Sequence, residues 1–163
     1  CEGRRFDSSQ RHQNLQVRPS RKGDTMIKCR LLVAIAAAIF SCAALAQDKV
    51  VYHFGEGFAQ ATNGLRNIRN HLEVDPKAKI VVVAHAQGVD FLMIGAQDAN
   101  KNPYNVIVED LKSQGVTFEV CKITLRNRKL EEKQFIPEVT YTPSGVQRIT
   151  QLQSREGYAY LKP

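Results

Sequence analysis

The residues best equipped for chemistry are one thiol and two imidazoles. Cys121 ends the run Val116-Thr-Phe-Glu-Val-Cys121, His53 lies near the end of Lys49-Val-Val-Tyr-His-Phe54, and His85 directly follows Lys79-Ile-Val-Val-Val-Ala84. A thiol near helix N-termini and cations such as Lys122 or Arg126 is held partly as thiolate, its nucleophilic form. An imidazole titrates near neutrality, so either histidine can act as base or hydrogen-bond partner for that thiol. Each residue also has a plainer reading. A free cysteine in a strand is usually a small buried hydrophobe, and a strand-end histidine usually bonds to backbone or water. From these residue types alone the core reading of Cys121 is the commoner one. The three side chains also make a His2Cys donor set. Their spacing matches no metal motif, and neither a metal nor another cofactor is expected.

Glycines and hydroxyls cluster at the same kind of position. Gly55-Glu-Gly57 follows one apolar run and opens a helical pattern, as a phosphate-binding turn would. Gln60 stands where the third glycine of that motif belongs, so a plain tight turn is the better reading. Ala84-His-Ala-Gln-Gly88 has the outline of a nucleophile elbow, but Ala86 takes the place of the serine. Without a hydroxyl there is no acyl-enzyme, which excludes a serine hydrolase. Thr124 follows Cys121, and Ser144-Gly145 follows Thr142-Pro143. Lys122, Arg126, Arg128 and Lys129 can hold an anion, although a solvated basic helix face is the commoner explanation.

The elements that must position these residues follow from periodicity. Lys49–Phe54 reads as a strand. Phe58, Ala61, Leu65, Ile68 and Leu72 recur at helical spacing before Asp75-Pro76. Lys79–Ala84 is β-branched without alternation, which predicts a central parallel strand covered on both faces. Asn102-Pro103 reads as a helix start, Asn as cap and Pro at the first helical position. Val106, Ile107 and Leu111 would face inward, with Gly115 closing the helix. Val116–Cys121 is the third strand, and Thr124–Phe135 is helical in part. Glu138–Thr142 is the fourth strand. Ser144-Gly-Val-Gln147 fits a capping box before Val146, Ile149 and Leu152, and Tyr158–Leu161 is the last strand. Strand and helix alternate throughout. That predicts an α/β fold: a mostly parallel five-stranded sheet with helices on both faces. Ligands of such sheets bind beyond the carboxyl ends of the strands. Those ends carry His53, Gly55, Gly57, His85, Gly88, Cys121, Thr124, Ser144 and Gly145.

The 163 residues do not all belong to that domain. Residues 1–25 are polar and basic without periodicity and read as an upstream extension. From Met26, Lys28 and Arg30 precede the apolar run Leu31–Phe40, and Ala44-Leu-Ala46 makes a small-x-small cleavage site. This order predicts a signal peptide over 26–46, cleavage after Ala46 and a periplasmic mature chain, 47–163. The apolar run is shorter than the about 20 residues a membrane span needs. A lipid anchor at Cys42 is disfavoured by Phe40 just upstream. The net charge of +7 divides unevenly: 1–46 hold eight basic and three acidic residues, leaving fifteen and thirteen, or +2, for 47–163. The basic pI therefore belongs mostly to the leader, and nucleic-acid binding is not implied. Of four cysteines only Cys121 lies beyond residue 46, so the mature chain is expected without an internal disulfide.

Several segments together resemble the DsrE/DsrF-like family. They are Val-Val-Ala-His85 with Gly88, then Leu111…Gly115-Val-x-Phe-x-Val-Cys121-x-x-Thr124-Leu125, then Pro143-Ser-Gly-Val146. The ending Gln153…Glu156-Gly-Tyr-Ala-Tyr160…Pro163 completes the set. The resemblance spans nearly all of 49–163. It implies a three-layer α/β domain that assembles into homotrimers or hexamers. It also implies a cysteine that carries sulfur as a persulfide between donor and acceptor proteins. Cys121 inherits that role, with His85 and His53 to tune or deprotonate it and backbone amides at Thr124 or Gly145 to hold the sulfur. The family's relays are cytoplasmic, and the export signal departs from that. The alternative is a non-catalytic oligomeric module that binds a small ligand or a partner and keeps Cys121 inert.

Overall fold

Lys79–Ala84 forms the middle of the sheet, and its five residues after Lys79 are all buried. The computed structural model describes residues 47–163, so the expected extension 1–25 and signal peptide 26–46 lie outside the described residues. In chain order the elements are β1 (Lys49–Phe54), α1 (Phe58–Val74), β2 (Lys79–Ala84), a 3-10 segment (Ala86–Leu92), α2 (Tyr104–Ser113) and β3 (Thr117–Cys121). Then follow α3 (Lys122–Arg128), a short 3-10 turn (Glu132–Gln134), β4 (Val139–Thr142), α4 (Gly145–Glu156) and β5 (Ala159–Leu161).

The sheet runs β4-β3-β2-β1-β5, and every neighbouring pair is parallel. From β1 to β4 the chain steps outward in one direction. A right-handed crossover then puts each connection on one face of the sheet. The step from β4 to β5 runs back across the sheet to the far side of β1, so the same handedness puts α4 on the opposite face. Two cores result. Tyr52, Phe54, Val82 and Val120 pack with Leu65 and Ile68 of α1, Leu111 of α2 and Leu125 of α3. Val51, Val81 and Val83 pack with Ile149 and Leu152 of α4 and with Tyr158.

Local details depart from the sequence pattern where packing outweighs periodicity. Pro103, not Asn102, is the cap residue of α2, and helical structure begins at Tyr104. The pyrrolidine sits in extended backbone and supplies no side-chain bond to cap the helix. Val106 points to solvent and Val108 takes its place in the core, because Tyr104, Val108 and Leu111 define the buried stripe. Val146 and Phe58 are likewise exposed first-turn residues of their helices. The segment after His85 is a 3-10 helix, and α3 begins at Lys122, before the expected Thr124. Gly115 follows α2 with φ +96, the left-handed conformation expected of a helix-closing glycine.

Ser144 caps α4 by accepting from Gln147 N at 3.4 Å, which is half of the expected capping box. Ser144→Ala should cost about 0.5–1 kcal/mol, the low end for a cap whose bond is long. Urea denaturation of the two proteins measures it.

Candidate functional site

Register brings the chemistry together. His53 pairs with Val83, and Val83 pairs with Glu119, two residues before Cys121. Side chains alternate between faces along a strand, so His53, His85 and Cys121 all leave the sheet on the α4 side. Cys121 itself pairs with Thr142. At that point β3 sends its chain into α3 on one face, while β4 sends its chain into α4 on the other. Adjacent strands whose connections diverge open a crevice at their carboxyl ends. Cys121 sits in that crevice.

The crevice is a cavity of about 520 Å³ lined by His85, Ala86, Cys121, Ile123, Thr124, Ser144 and Val146, among others. A larger one, about 620 Å³, lies between α1 and α2 against Leu65, Arg69, Tyr104 and Ile107. Its lining holds neither thiol nor imidazole, so the candidate thiol chemistry points to the smaller one.

Cys121 is 4% exposed and free. Burial pushes its pKa up. The N–H of Gly145, the N–H and hydroxyl of Thr124 and the N–H of Ile123 outweigh burial, and the thiol ends below its ordinary value. These donors act on a sulfur anion as oriented dipoles. Gly145 eases this approach: a Cβ there would make tight contacts, 3.3 Å from Cβ of both Cys121 and His85.

Thr124 connects two parts of the site. Its Oγ1 accepts from Ala86 N at 2.9 Å, and Arg128 Nη1 donates to Ala86 O at 2.8 Å. Those two bonds pin Ala86 at φ 49, a left-handed bend that alanine rarely adopts. Thr124→Val should therefore raise the thiol pKa. A dipole of hydrogen-bond strength is worth about 0.5–1.5 kcal/mol, or roughly a twofold to thirteenfold smaller thiolate fraction at neutral pH. The pH profile of Cys121 alkylation reads this as an upward shift of its midpoint.

The histidines meet each other rather than the thiol. His53 Nε2 and His85 Nε2 are 2.5 Å apart, and the stacked rings have centroids 4.6 Å apart. His53 Nδ1 is 2.6 Å from the Tyr160 hydroxyl. Burial lowers the pKa of both rings. For His53, His85 and Lys162 lower it further and Glu56 opposes, while for His85 Lys162 adds to the lowering. Gly55 leaves room for this pair, since a Cβ there would stand 3.3 Å from Cε1 of His85 and 3.4 Å from Nε2 of His53. Among the described residues no group of three or more His, Cys, Asp or Glu is placed to hold a metal ion.

The other glycines have different places. Gly57 begins α1 and Gly88 packs against the end of β1; neither lines the cavity. The amides of Gly55 and Glu56 are both taken by Gln60 Oε1, at 2.9 and 2.8 Å. The side chain at the missing glycine thus fills the turn itself, which leaves no nest for a phosphate. Of the basic residues, Lys122 pairs with Glu132 and Arg128 with Asp90. Sequence reasoning overlooked Ile123 and Val146, the exposed apolar rim of the cavity, and the part played by Tyr160. Only the tail motif that contains Tyr160 hinted at it.

Comparison with known proteins agrees with this architecture. A structure titled as a protein of unknown function, MTH1491 from Methanobacterium thermoautotrophicum, is similar at 30% identity. That match has a TM-score of 0.63 over 72% of this chain and 100% of the other. The ychN protein of E. coli is similar in fold, at 18% identity and a TM-score of 0.58 over 72% of this chain and 99% of the other. No curated protein matches the chain. A family model described as the DsrE/DsrF-like family matches residues 30–163. Together with the parallel five-stranded sheet and the cysteine at its divergent strand ends, that match means the chain belongs to the DsrE/DsrF-like family.

Proposed function

We propose that this protein is a sulfur carrier whose working group is Cys121. The observation that carries the reading is the buried thiol set among N–H and O–H dipoles at the mouth of a cavity. Those dipoles favour an anionic sulfur, and both a thiolate and a persulfide are anionic sulfur. The Cys121 thiolate attacks the terminal sulfur of a persulfide donor, R–S–SH, and displaces the thiolate R–S⁻. Cys121 then holds the sulfur as –S–SH. An acceptor thiolate attacks that outer sulfur, takes it as its own persulfide and releases Cys121 as thiolate. No net oxidant or reductant is consumed. The apolar rim of Ile123 and Val146 fits a donor carried on a protein or an organic thiol.

Incubation of the purified chain with a polysulfide, followed by mass spectrometry of its peptides, tests the proposal. The Cys121 peptide is expected to gain one sulfur, about 32 Da. A gain confined to other peptides, or no gain, sinks it. The rival reading, a ligand- or partner-binding module with an inert thiol, draws on the low exposure of Cys121. Alkylation of Cys121 no faster in the folded protein than in a buried control thiol would favour that reading.

Two further parts of the proposal concern setting. The carrier works in the periplasm, on the strength of the leader pattern at 26–46; fractionation of expressing cells checks it. It assembles with itself into a trimer or hexamer, for which the exposed Phe58, Ile94, Val106 and Leu161 provide apolar surface. Light scattering on the purified protein reads the number of subunits. Among the described residues no helix is long and apolar enough to cross a membrane.

A further inference from the structure

The C-terminal tail closes over the two histidines and is tied there at three points. Tyr160 pairs with Val51 in the sheet. Lys162 Nζ lies 2.7 Å from Glu56 Oε1. Gln60 Nε2 donates to Pro163 O at 3.3 Å. The result places the Tyr160 hydroxyl 2.6 Å from His53 Nδ1, while Nε2 of that ring faces Nε2 of His85. Nδ1 of His85 is the ring nitrogen left over, and it makes no hydrogen bond among the described residues.

A row of three groups in contact has a direction, set by which end donates. A phenol, ordinary pKa about 10, is a far stronger donor than a neutral imidazole N–H. An imidazole nitrogen, whose conjugate acid has a pKa of about 6.5, is a far better acceptor than a phenol oxygen. The Tyr160 O–H therefore donates to Nδ1 of His53. That leaves the His53 proton on Nε2. Two Nε2 atoms in contact share one proton, so Nε2 of His85 accepts it. The proton of His85 must then sit on Nδ1. Both rings are neutral near pH 7, since burial and Lys162 hold their pKa values down against the smaller opposing pull of Glu56 on His53.

We propose that Tyr160, acting through His53, is the positioning residue that holds His85, a residue lining the Cys121 cavity, in the Nδ1–H tautomer, so that its nitrogen not engaged with His53 is a donor and not a base. The consequence for chemistry rests on the sulfur-carrier reading. On that reading His85, with a proton already on the nitrogen that His53 leaves free, does not take the thiol proton. The tautomer assignment itself stands on the geometry of Tyr160, His53 and His85 alone.

Long-range 1H–15N NMR of the full chain at neutral pH reads each ring directly, with His53→Gln and His85→Gln to assign the signals. The expected spectrum has hydrogen on Nε2 of His53 and on Nδ1 of His85. In Tyr160→Phe the directing donor is gone, and the single pattern should give way to a mixture of tautomers in both rings. Hydrogen on Nε2 of His85 in the unaltered protein overturns the proposal, whether or not the variant folds. An unchanged pattern in a folded Tyr160→Phe overturns it too. The spectrum is recorded without sulfur, so the two ideas fail separately. An inert Cys121 ends the carrier reading and leaves the tautomer assignment intact, whereas the wrong tautomer ends this assignment and leaves sulfur loading untouched.

Discussion

Cys121→Ser is expected to take up no sulfur at position 121, while the unaltered chain takes up one atom there. The loss should be complete because the replaced atom is the one that forms the bond. Oxygen in the same cradle keeps the volume and the surrounding N–H groups, so the fold has little reason to change. A serine hydroxyl, however, stays protonated near neutral pH, and among the described residues neither imidazole is hydrogen-bonded to residue 121, the two being bonded to each other and to Tyr160. The comparison also has a pH signature. Loading by the unaltered protein should rise with pH as the thiol ionises, with its midpoint below that of the same thiol in the unfolded chain. The sign follows from the shift: the dipoles of Gly145, Thr124 and Ile123 favour the anion more than burial disfavours it. If the serine protein gains the same sulfur in the same peptide, the label is not a Cys121 persulfide and the carrier reading is lost.

Gly88→Ala is expected to destabilise the domain by about 3 kcal/mol, at the upper end of what overpacking costs. A Cβ at residue 88 would lie 2.2 Å from the carbonyl oxygen of Phe54, 2.4 Å from its carbon and 2.8 Å from Gly55 N. These are backbone atoms, so no rotamer change relieves the contact. The carbonyl of Phe54 also accepts from His85 N at 2.9 Å, and Gly88 N donates to His85 O at 2.8 Å. Moving either segment breaks a bond that holds the end of β1 against the 3-10 turn. For a domain of this size about 3 kcal/mol corresponds to a fall in Tm of roughly 10 °C or more. Gly57→Ala is the control. Nothing lies within 4 Å of its added Cβ and its φ is −75, so the change should cost no more than about 1 kcal/mol. Equal melting temperatures for the two variants would contradict the account.

The elements that were legible in the sequence share one property: their signal is local. Lys79–Ala84 announces a central strand because five successive buried positions leave no room for alternation. The stripe Ala61, Leu65, Ile68, Leu72 announces α1 for the matching reason at helical period. Positions were misread in the first turn of a helix, where the apolar pattern runs on past the buried stripe. Val106 and Val146 continue an apolar pattern, yet among the described residues both are more than half exposed. Their apolar character answers to something other than this core. The Pro103 boundary of α2 shifted by one residue, because a proline suits either the cap or the first turn. At the site, Gln60 was visible as the residue that spoils a glycine motif. That its Oε1 occupies the amides of Gly55 and Glu56 is a contact no spacing rule contains.

By itself the sequence determined that the chemistry lies at one edge of a parallel sheet, because alternating strands and helices force every strand to end on the same side. It also determined that Cys121 is the one thiol of residues 47–163. Only the tertiary structure decided which strand ends are neighbours. The order β4-β3-β2-β1-β5 depends on the return of α4 across the opposite face, a long-range choice with no local signature. That choice brings Gly145 and Thr124 to the sulfur, turns His53 and His85 toward each other, and lays Tyr160 against them, 107 residues along the chain from His53. Residue types can say that a thiol and two imidazoles are available. Whether an imidazole meets the thiol or its twin is settled by register and crossover direction, which are properties of the packed sheet.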